Sequence, residues 1–279
     1  MSYPDKVYLN GSIVNSADAK VSVFDRGFIF GDGLYEVMVQ INGRFFYEKE
    51  HLDRLQSGLQ KINIEYDASL LKSEISTLLK SVGLTDKDCM LYIQITRGVA
   101  PRQHSYPADI KPTVMMYAVP KVLPEINTVN AHVITRNDFR WSRCDIKMTS
   151  LLGNVMLNEE AMQHECYETI LHRNGVFTEA SHCNVFFVKD GVVYTHPADE
   201  YILNGITRIV VIELCHSLGI EIKEIPISTE EIKTIDEAFL TGTSTQIAAI
   251  QKIDNHLLFI GNEKGPVTQR LQEAFLKLK

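Results

Sequence analysis

Two Asn-Gly dipeptides, Asn10-Gly11 and Asn42-Gly43, constrain this chain more than any other feature. Each separates two short stretches: Val7-Tyr8-Leu9 from Ser12-Ile13-Val14, and Val37 to Gln40 from Arg44 to Tyr47. Asn-Gly accepts positive φ at both positions of a two-residue turn, whose twist suits paired strands. Both regions are therefore expected to fold as antiparallel hairpins, and the chain does not open as a strict strand–helix–strand alternation. A helix follows, with Leu52, Leu55, Leu59 and Ile62 at helical spacing, then a second over about 69–81. Met90 to Thr96 and Thr113 to Val119 read as buried strands.

Pro120-Lys121-Val122-Leu123-Pro124 is the expected linker, because two prolines so close disfavour helix and central strand alike. It divides the sequence into an N-terminal α+β domain, 1–120, and a C-terminal domain, 121–279. The second block reads as a strand from Asn130 to Thr135 and a helix over about 151–165. Strands at Glu168 to His172, Asn184 to Val188 and Val192 to Thr195 come next, the last two joined by an Asp190-Gly191 turn. A helix from Thr207 to Leu218 ends at Gly219, a strand covers Glu237 to Thr241, and a terminal helix covers 266–278. The order is α+β in both halves. Neither GxGxxG nor GxxxxGK[ST] occurs, so a nucleotide-binding fold has no direct support.

With 279 residues, 45% hydrophobic and 23% charged, the chain can bury a sizeable core. A net charge of -7 argues against a nucleic-acid partner, which needs a basic surface to displace counterions. Arg140, Arg143 and Lys147 form the one basic cluster, which Asp145 interrupts and Asp138 precedes. The opening MSYPDKVYLNG lacks the apolar core of a signal peptide, and no apolar run approaches the roughly 20 residues that cross a bilayer. A cytoplasmic protein without membrane contact is expected. The five cysteines, Cys89, Cys144, Cys166, Cys183 and Cys215, include no CxxC pair, so neither disulfides nor a metal site is expected.

Three polar segments stand in otherwise apolar surroundings: Cys144 to Lys147, Thr178 to Asn184, and Leu240 to Thr245. In the third, Gly242 flanked by Thr241, Thr243 and Ser244 can offer backbone N–H groups and hydroxyls to an anion. Asn204-Gly205-Ile206-Thr207-Arg208 stands at an expected helix N-terminus, where free N–H groups favour phosphate. Taken alone, either segment is more often a capped loop.

Together, these segments and Arg26 to Glu36, His51 to Leu55, Thr178-Glu179, Asn184-Val185, Gly205 to Arg208 and Thr241 to Thr243 resemble the fold-type IV pyridoxal-phosphate enzymes over nearly the whole chain. Among these, Pro101-Arg102-Gln103-His104 and Arg140 to Lys147 are most similar to the bacterial D-amino-acid aminotransferases. The resemblance implies an α+β fold with a smaller N-terminal α/β domain and a C-terminal pseudo-barrel domain. It implies pyridoxal 5'-phosphate as cofactor, amino acids and 2-oxo acids as substrates, and a homodimer.

It also implies roles. Lys147 is the Schiff-base lysine and proton carrier, and Glu179 is the partner of the pyridine nitrogen. Arg54 holds the phosphate, with the Ile206 and Thr207 N–H groups, Gly242 and the Thr243 or Ser244 hydroxyl completing the cup. Leu203 packs on the ring, and Arg140 lies near the ring hydroxyl. Tyr35, Arg102 and His104 correspond to the trap for the substrate carboxylate; a cationic pair suits a carboxylate better than a branched-chain pocket requires. The alternatives are a branched-chain L-amino-acid aminotransferase, an aminodeoxychorismate lyase, and a binding scaffold with a dead site. The intact Lys147 and Glu179 speak against the scaffold.

Overall fold

The computed structural model describes residues 3–279. The chain forms two compact units: one runs up to Val122 and includes Ile146–Ser150, and the other comprises Leu123–Asp145 and Leu151–Lys279. A single cut at residue 120 would put Lys147 in the second unit. The structure puts it in the first, because the backbone of 147–149 pairs with a strand there.

The first unit contains β1 (Lys6–Leu9), β2 (Ser12–Asn15), α1 (Arg26–Phe30), β3 (Gly33–Ile41), β4 (Arg44–Phe45), α2 (Glu48–Lys61), α3 (Leu71–Ser81), β5 (Cys89–Thr96) and β6 (Thr113–Pro120). Both Asn-Gly hairpins form: Asn10 and Gly11 have φ of 47 and 90, and Asn42 and Gly43 of 50 and 76. The six strands are antiparallel in the order β2-β1-β6-β5-β3-β4. Leu52, Leu55 and Leu59 of α2, and Leu71, Ile75 and Leu78 of α3, join Met38, Leu91, Ile93 and Met116 of the sheet in one core. β3 starts at Gly33, four residues before the expected Val37. Its early residues pair with β5 along their whole length, a long-range match that the apolar pattern around Tyr35-Glu36 does not announce.

The second unit contains β7 (Asn130–Asn137), α4 (Leu152–Gln163), β8 (Glu168–Arg173), β9 (Val176–Ala180), β10 (Asn184–Lys189), β11 (Val192–Tyr194), α5 (Ile206–Ser217), β12 (Ile222–Lys223), β13 (Glu237–Gly242), β14 (Gln246–Ile253), β15 (His256–Leu257) and α6 (Pro266–Leu276). The sheet order is β12-β11-β10-β13-β14-β7-β8-β9, with β15 paired to β14. β9 lies five places from β10, about 24 Å along a flat sheet. Only residues 181–183 join them, and four Cα steps reach at most about 14 Å. The sheet therefore curls back on itself, giving the partial barrel.

Val185 and Phe187 of β10 face the inside of the curl with Ala238 and Leu240 of β13. On the other face Phe186 stacks on Phe239, with ring centroids 5.0 Å apart, in the layer under α5 and α6. Burial on both faces explains the unbroken apolar run of β10. β14, absent from the sequence reading, is buried from Gln246 to Ile250. Its Gln-Ile-Ala-Ala run has no alternation to mark it as a strand. Thr178-Glu179-Ala180, the start of the polar segment 178–184, is the end of β9, and the turn is only 181–183.

Candidate active site

In the first unit, Lys147 is fixed by its backbone. Its carbonyl accepts the Tyr35 N–H at 3.0 Å, Met148 bridges Leu34, and the Thr149 N–H donates to the Gly33 carbonyl at 3.0 Å. The Thr149 hydroxyl adds bonds to Gly31 and Gly33. The Lys147 amine stands 4.2 Å from the centre of the Tyr35 ring, a cation–π distance. Tyr35 itself stacks on Tyr92 at 5.7 Å, and Tyr92 on Tyr117 at 5.1 Å.

Next to Tyr35, Glu36 points to the opposite face and is fully buried. Arg54 grips it with two nitrogens, Nη2 to Oε1 at 2.7 Å and Nε to Oε2 at 3.0 Å. The His51 ring nitrogen Nδ1 lies 2.9 Å from Oε1. A carboxylate only accepts, so Nδ1 carries the hydrogen. Burial alone would raise the Glu36 pKa, but the Arg54 charge and the His51 bond overcome it and hold Glu36 far below the usual carboxylate range. Burial, aided by the Arg54 and Lys147 charges, holds His51 below its usual value despite Glu36. His51 therefore donates as a neutral imidazole. Spacing on α2 explains the pairing: His51 and Arg54 are one turn apart and lie on one side.

In the second unit, Glu179 is 5% exposed. Arg140 Nη1 donates to its Oε1 at 2.8 Å, and Oε2 accepts the Leu203 N–H at 3.0 Å and the Asn184 amide at 3.2 Å. The rest of Arg140 is taken by Asp138, from Nε and Nη2, each at 3.0 Å. Burial pushes Glu179 up to about 7; Arg140 opposes this only in part. The Asn184 amide also donates to the Leu203 carbonyl at 2.8 Å. Its Oδ1 lies so near Gly205 that a Cβ there would sit 2.2 Å away, so only glycine fits.

Gly205 leads into α5 with Ile206 and Thr207 each 5% exposed, and no side chain caps the helix. The contrast with α6 is informative. There Glu237 accepts the Val267 and Thr268 N–H groups, and Gly265 makes room for it. Across the β10–β13 pair, Thr241 lies directly opposite Asn184, and its hydroxyl is buried without a hydrogen-bond partner. A helix start, an unmatched hydroxyl and the Gly242-Thr243 turn together offer donors and no carboxylate. That donor set fits a phosphate. Glu179, with its two-sided support, fits a protonated ring nitrogen.

The structure thus brings Glu179, Arg140, Leu203, Ile206, Thr207, Gly242 and Thr243 into one unit, and Lys147, Tyr35 and Arg54 into the other. Ser244 is exposed, whereas Thr243 is half-buried. Arg102 and His104 are exposed and sit against Phe30, at 5.3 and 5.7 Å from its ring centre. Their loop is tied down by Arg26, whose Nη1 donates to the Gln103 carbonyl at 2.6 Å. The sequence reading gave no role to Glu36, His51, Asp138 or Asn184. Glu36, His51 and Asn184 lay inside quoted motifs; Asp138 carries no local signal beyond being an acidic residue beside the Arg140–Arg143 cluster.

The sequence profile of the family described as amino-transferase class IV matches residues 33–253, and the chain belongs to that family. It is a pyridoxal-phosphate-dependent aminotransferase. It is 40% identical to the D-alanine aminotransferase of Staphylococcus epidermidis over 276 residues, 98% of this chain and 97% of that one. It is 39% identical to the D-alanine aminotransferase of Bacillus licheniformis, covering 96% and 95% of the two chains. Among solved structures, the branched-chain amino acid aminotransferase of Escherichia coli superposes with a TM-score of 0.91 at 26% identity, over 99% of this chain and 95% of that one.

Proposed function

We propose that this enzyme moves the amino group of D-amino acids, D-alanine among them, to a 2-oxo acid such as 2-oxoglutarate or pyruvate. The observation that carries the reading is identity: 40% to a D-alanine aminotransferase against 26% to a branched-chain enzyme, each over nearly the full chain. When bound, the cofactor supplies an electron sink that lets the substrate Cα lose a proton.

The chain's own groups do the rest. Lys147 would hold the cofactor covalently, and its amine would take up the proton that leaves the substrate Cα, the fixed backbone of 147–149 limiting where the amine can reach. Glu179 keeps a proton on the ring nitrogen, with Arg140 and Asn184 fixing its two oxygens. The Ile206 and Thr207 N–H groups, Gly242 and Thr243 take the phosphate, joined by Arg54, and Leu203 packs on the ring. Tyr35, Arg102 and His104 take the substrate carboxylate. The enzyme works in the cytoplasm, and among the described residues no helix is long and apolar enough to cross a membrane. It acts as a homodimer: α4 exposes Leu152, Val155, Met156 and Met162, an apolar stripe suited to a second copy.

Steady-state kinetics with both enantiomers of alanine, glutamate and leucine test this. D-Alanine should be much the better donor, and Arg102→Ala should raise its KM roughly ten- to hundredfold, the loss of about 1.5–3 kcal/mol for a charged hydrogen bond. Faster turnover of L-leucine would replace this reading with the branched-chain one.

A further inference from the structure

The turn between β9 and β10 carries chemistry that the transamination reading does not use. Glu168, on β8, has no exposed surface and reaches under this turn. Its Oε1 accepts the Thr169 N–H at 2.7 Å and the Ser181 hydroxyl at 2.5 Å. Its Oε2 lies 2.5 Å from His182 Nδ1. Cys183, 5% exposed, follows in the chain, and its sulfur lies 3.2 Å from the Thr245 hydroxyl and interacts with the His182 ring. The carboxylate oxygen, the imidazole nitrogen and the thiol sulfur all lie within 4.8 Å of one another.

We propose that Glu168, His182 and Cys183 form a binding site for a zinc-class transition metal ion. Carboxylate, imidazole and thiolate are the three donor types that zinc takes, and three protein ligands leave one position of a tetrahedron for water. The His182 side chain is 50% exposed, which gives the ion its entry and the water its place. Charge balances as well. The dication meets one carboxylate, one thiolate and one neutral imidazole, so the loaded site is neutral. Loading releases the thiol proton and the proton held between His182 and Glu168. Outer-shell support is already built: Ser181 and Thr169 fix the second carboxylate oxygen, and Thr245 faces the sulfur. Spacing conceals the site in the sequence, since Glu168 precedes His182 by a whole hairpin.

The site also touches the proposed cofactor pocket, and this part rests on the function proposed above. A Cβ on Gly242 would lie 3.2 Å from the Cys183 sulfur, and Asn184, which supports Glu179, is the next residue. Drawing Cys183 onto a metal moves the chain on which both depend, so zinc should slow transamination reversibly.

The test is zinc titration of the metal-stripped holoenzyme against a chromogenic chelator, with X-ray absorption at the zinc edge. About one zinc per chain is expected, with a zinc–sulfur distance of about 2.3 Å. Cys183→Ser and His182→Gln should each weaken binding by more than the roughly 100-fold upper end seen for outer-shell partners. His182→Gln alters a half-exposed side chain, so it reports even if Cys183→Ser folds poorly. Absence of stoichiometric binding, a zinc edge without sulfur, or unchanged affinity in His182→Gln would overturn the site. Binding is read without any substrate, so a wrong donor assignment leaves this result standing.

Discussion

Glu36 and Glu179 are both buried, and each touches an arginine at nearly one distance, 2.7 and 2.8 Å. Their acidities nevertheless move in opposite directions. The difference lies in how each arginine is shared. Arg54 gives Glu36 two nitrogens, and His51 adds an N–H, so the charge of Glu36 is matched. Arg140 gives Glu179 one nitrogen, because Asp138 occupies two others and adds a like charge nearby. Contact distance is therefore a poor guide to ionisation; the competition for the guanidinium decides it. A fully matched Glu36 suits a structural brace, and a partly matched Glu179 suits a group that must answer to a proton beside it.

The largest effect should come from unmatching the brace. Glu36→Gln removes the buried carboxylate that Arg54, 16% exposed, grips with two nitrogens, and breaking such a buried pair costs about 3–5 kcal/mol. Urea unfolding at pH 7 should show this loss. A loss below about 1 kcal/mol would mean that water already compensates Arg54 and that the two carboxylates differ less than their contacts suggest.

Next comes the pH dependence of the cofactor-free protein. A carboxyl raised in the folded state from 4.5 to about 7 stabilises the fold fully below pH 4.5, and that contribution is lost as pH rises through 7. The shift of about 2.5 units corresponds to roughly 3 kcal/mol. The stability difference between wild type and Glu179→Gln should therefore change across pH 5 to 8. The Glu36→Gln difference should stay flat there, since a depressed carboxyl keeps its contribution above its unfolded value and loses it only in acid. Parallel behaviour of the two variants between pH 5 and 8 would erase the distinction.

The smallest of the three is catalytic. Glu179→Gln should still bind the cofactor yet lower kcat by at least about 100-fold, because an amide cannot hold the ring proton as a carboxylate does. Glu36→Gln should instead weaken cofactor retention, with kcat at saturating cofactor reduced less. Unchanged turnover in Glu179→Gln would assign its unusual acidity to burial alone.

Local chemistry decided what the sequence could reveal. Asn-Gly turns fix φ within two residues, and Leu52, Leu55 and Leu59 mark the buried side of α2, so the first unit's hairpins and its helices α2 and α3 were legible, while the short α1 was not. Lys147, Glu179, Gly205-Ile206-Thr207 and Gly242-Thr243 drew attention through their resemblance to the family's motifs, each within a short run. Partnership across the chain was not legible. Glu36 finds Arg54 eighteen positions away, and Glu179 finds Arg140 at a separation of thirty-nine. Lys147 joins the first unit, although it follows the linker, because its backbone completes the edge of β3. β14 escaped notice because a strand buried on both faces has no alternation to read. Turn and helix preferences are energies of neighbouring residues and are written in order along the chain. The ionisation of a buried carboxyl is set by which distant groups share its partner, and only the folded backbone decides that.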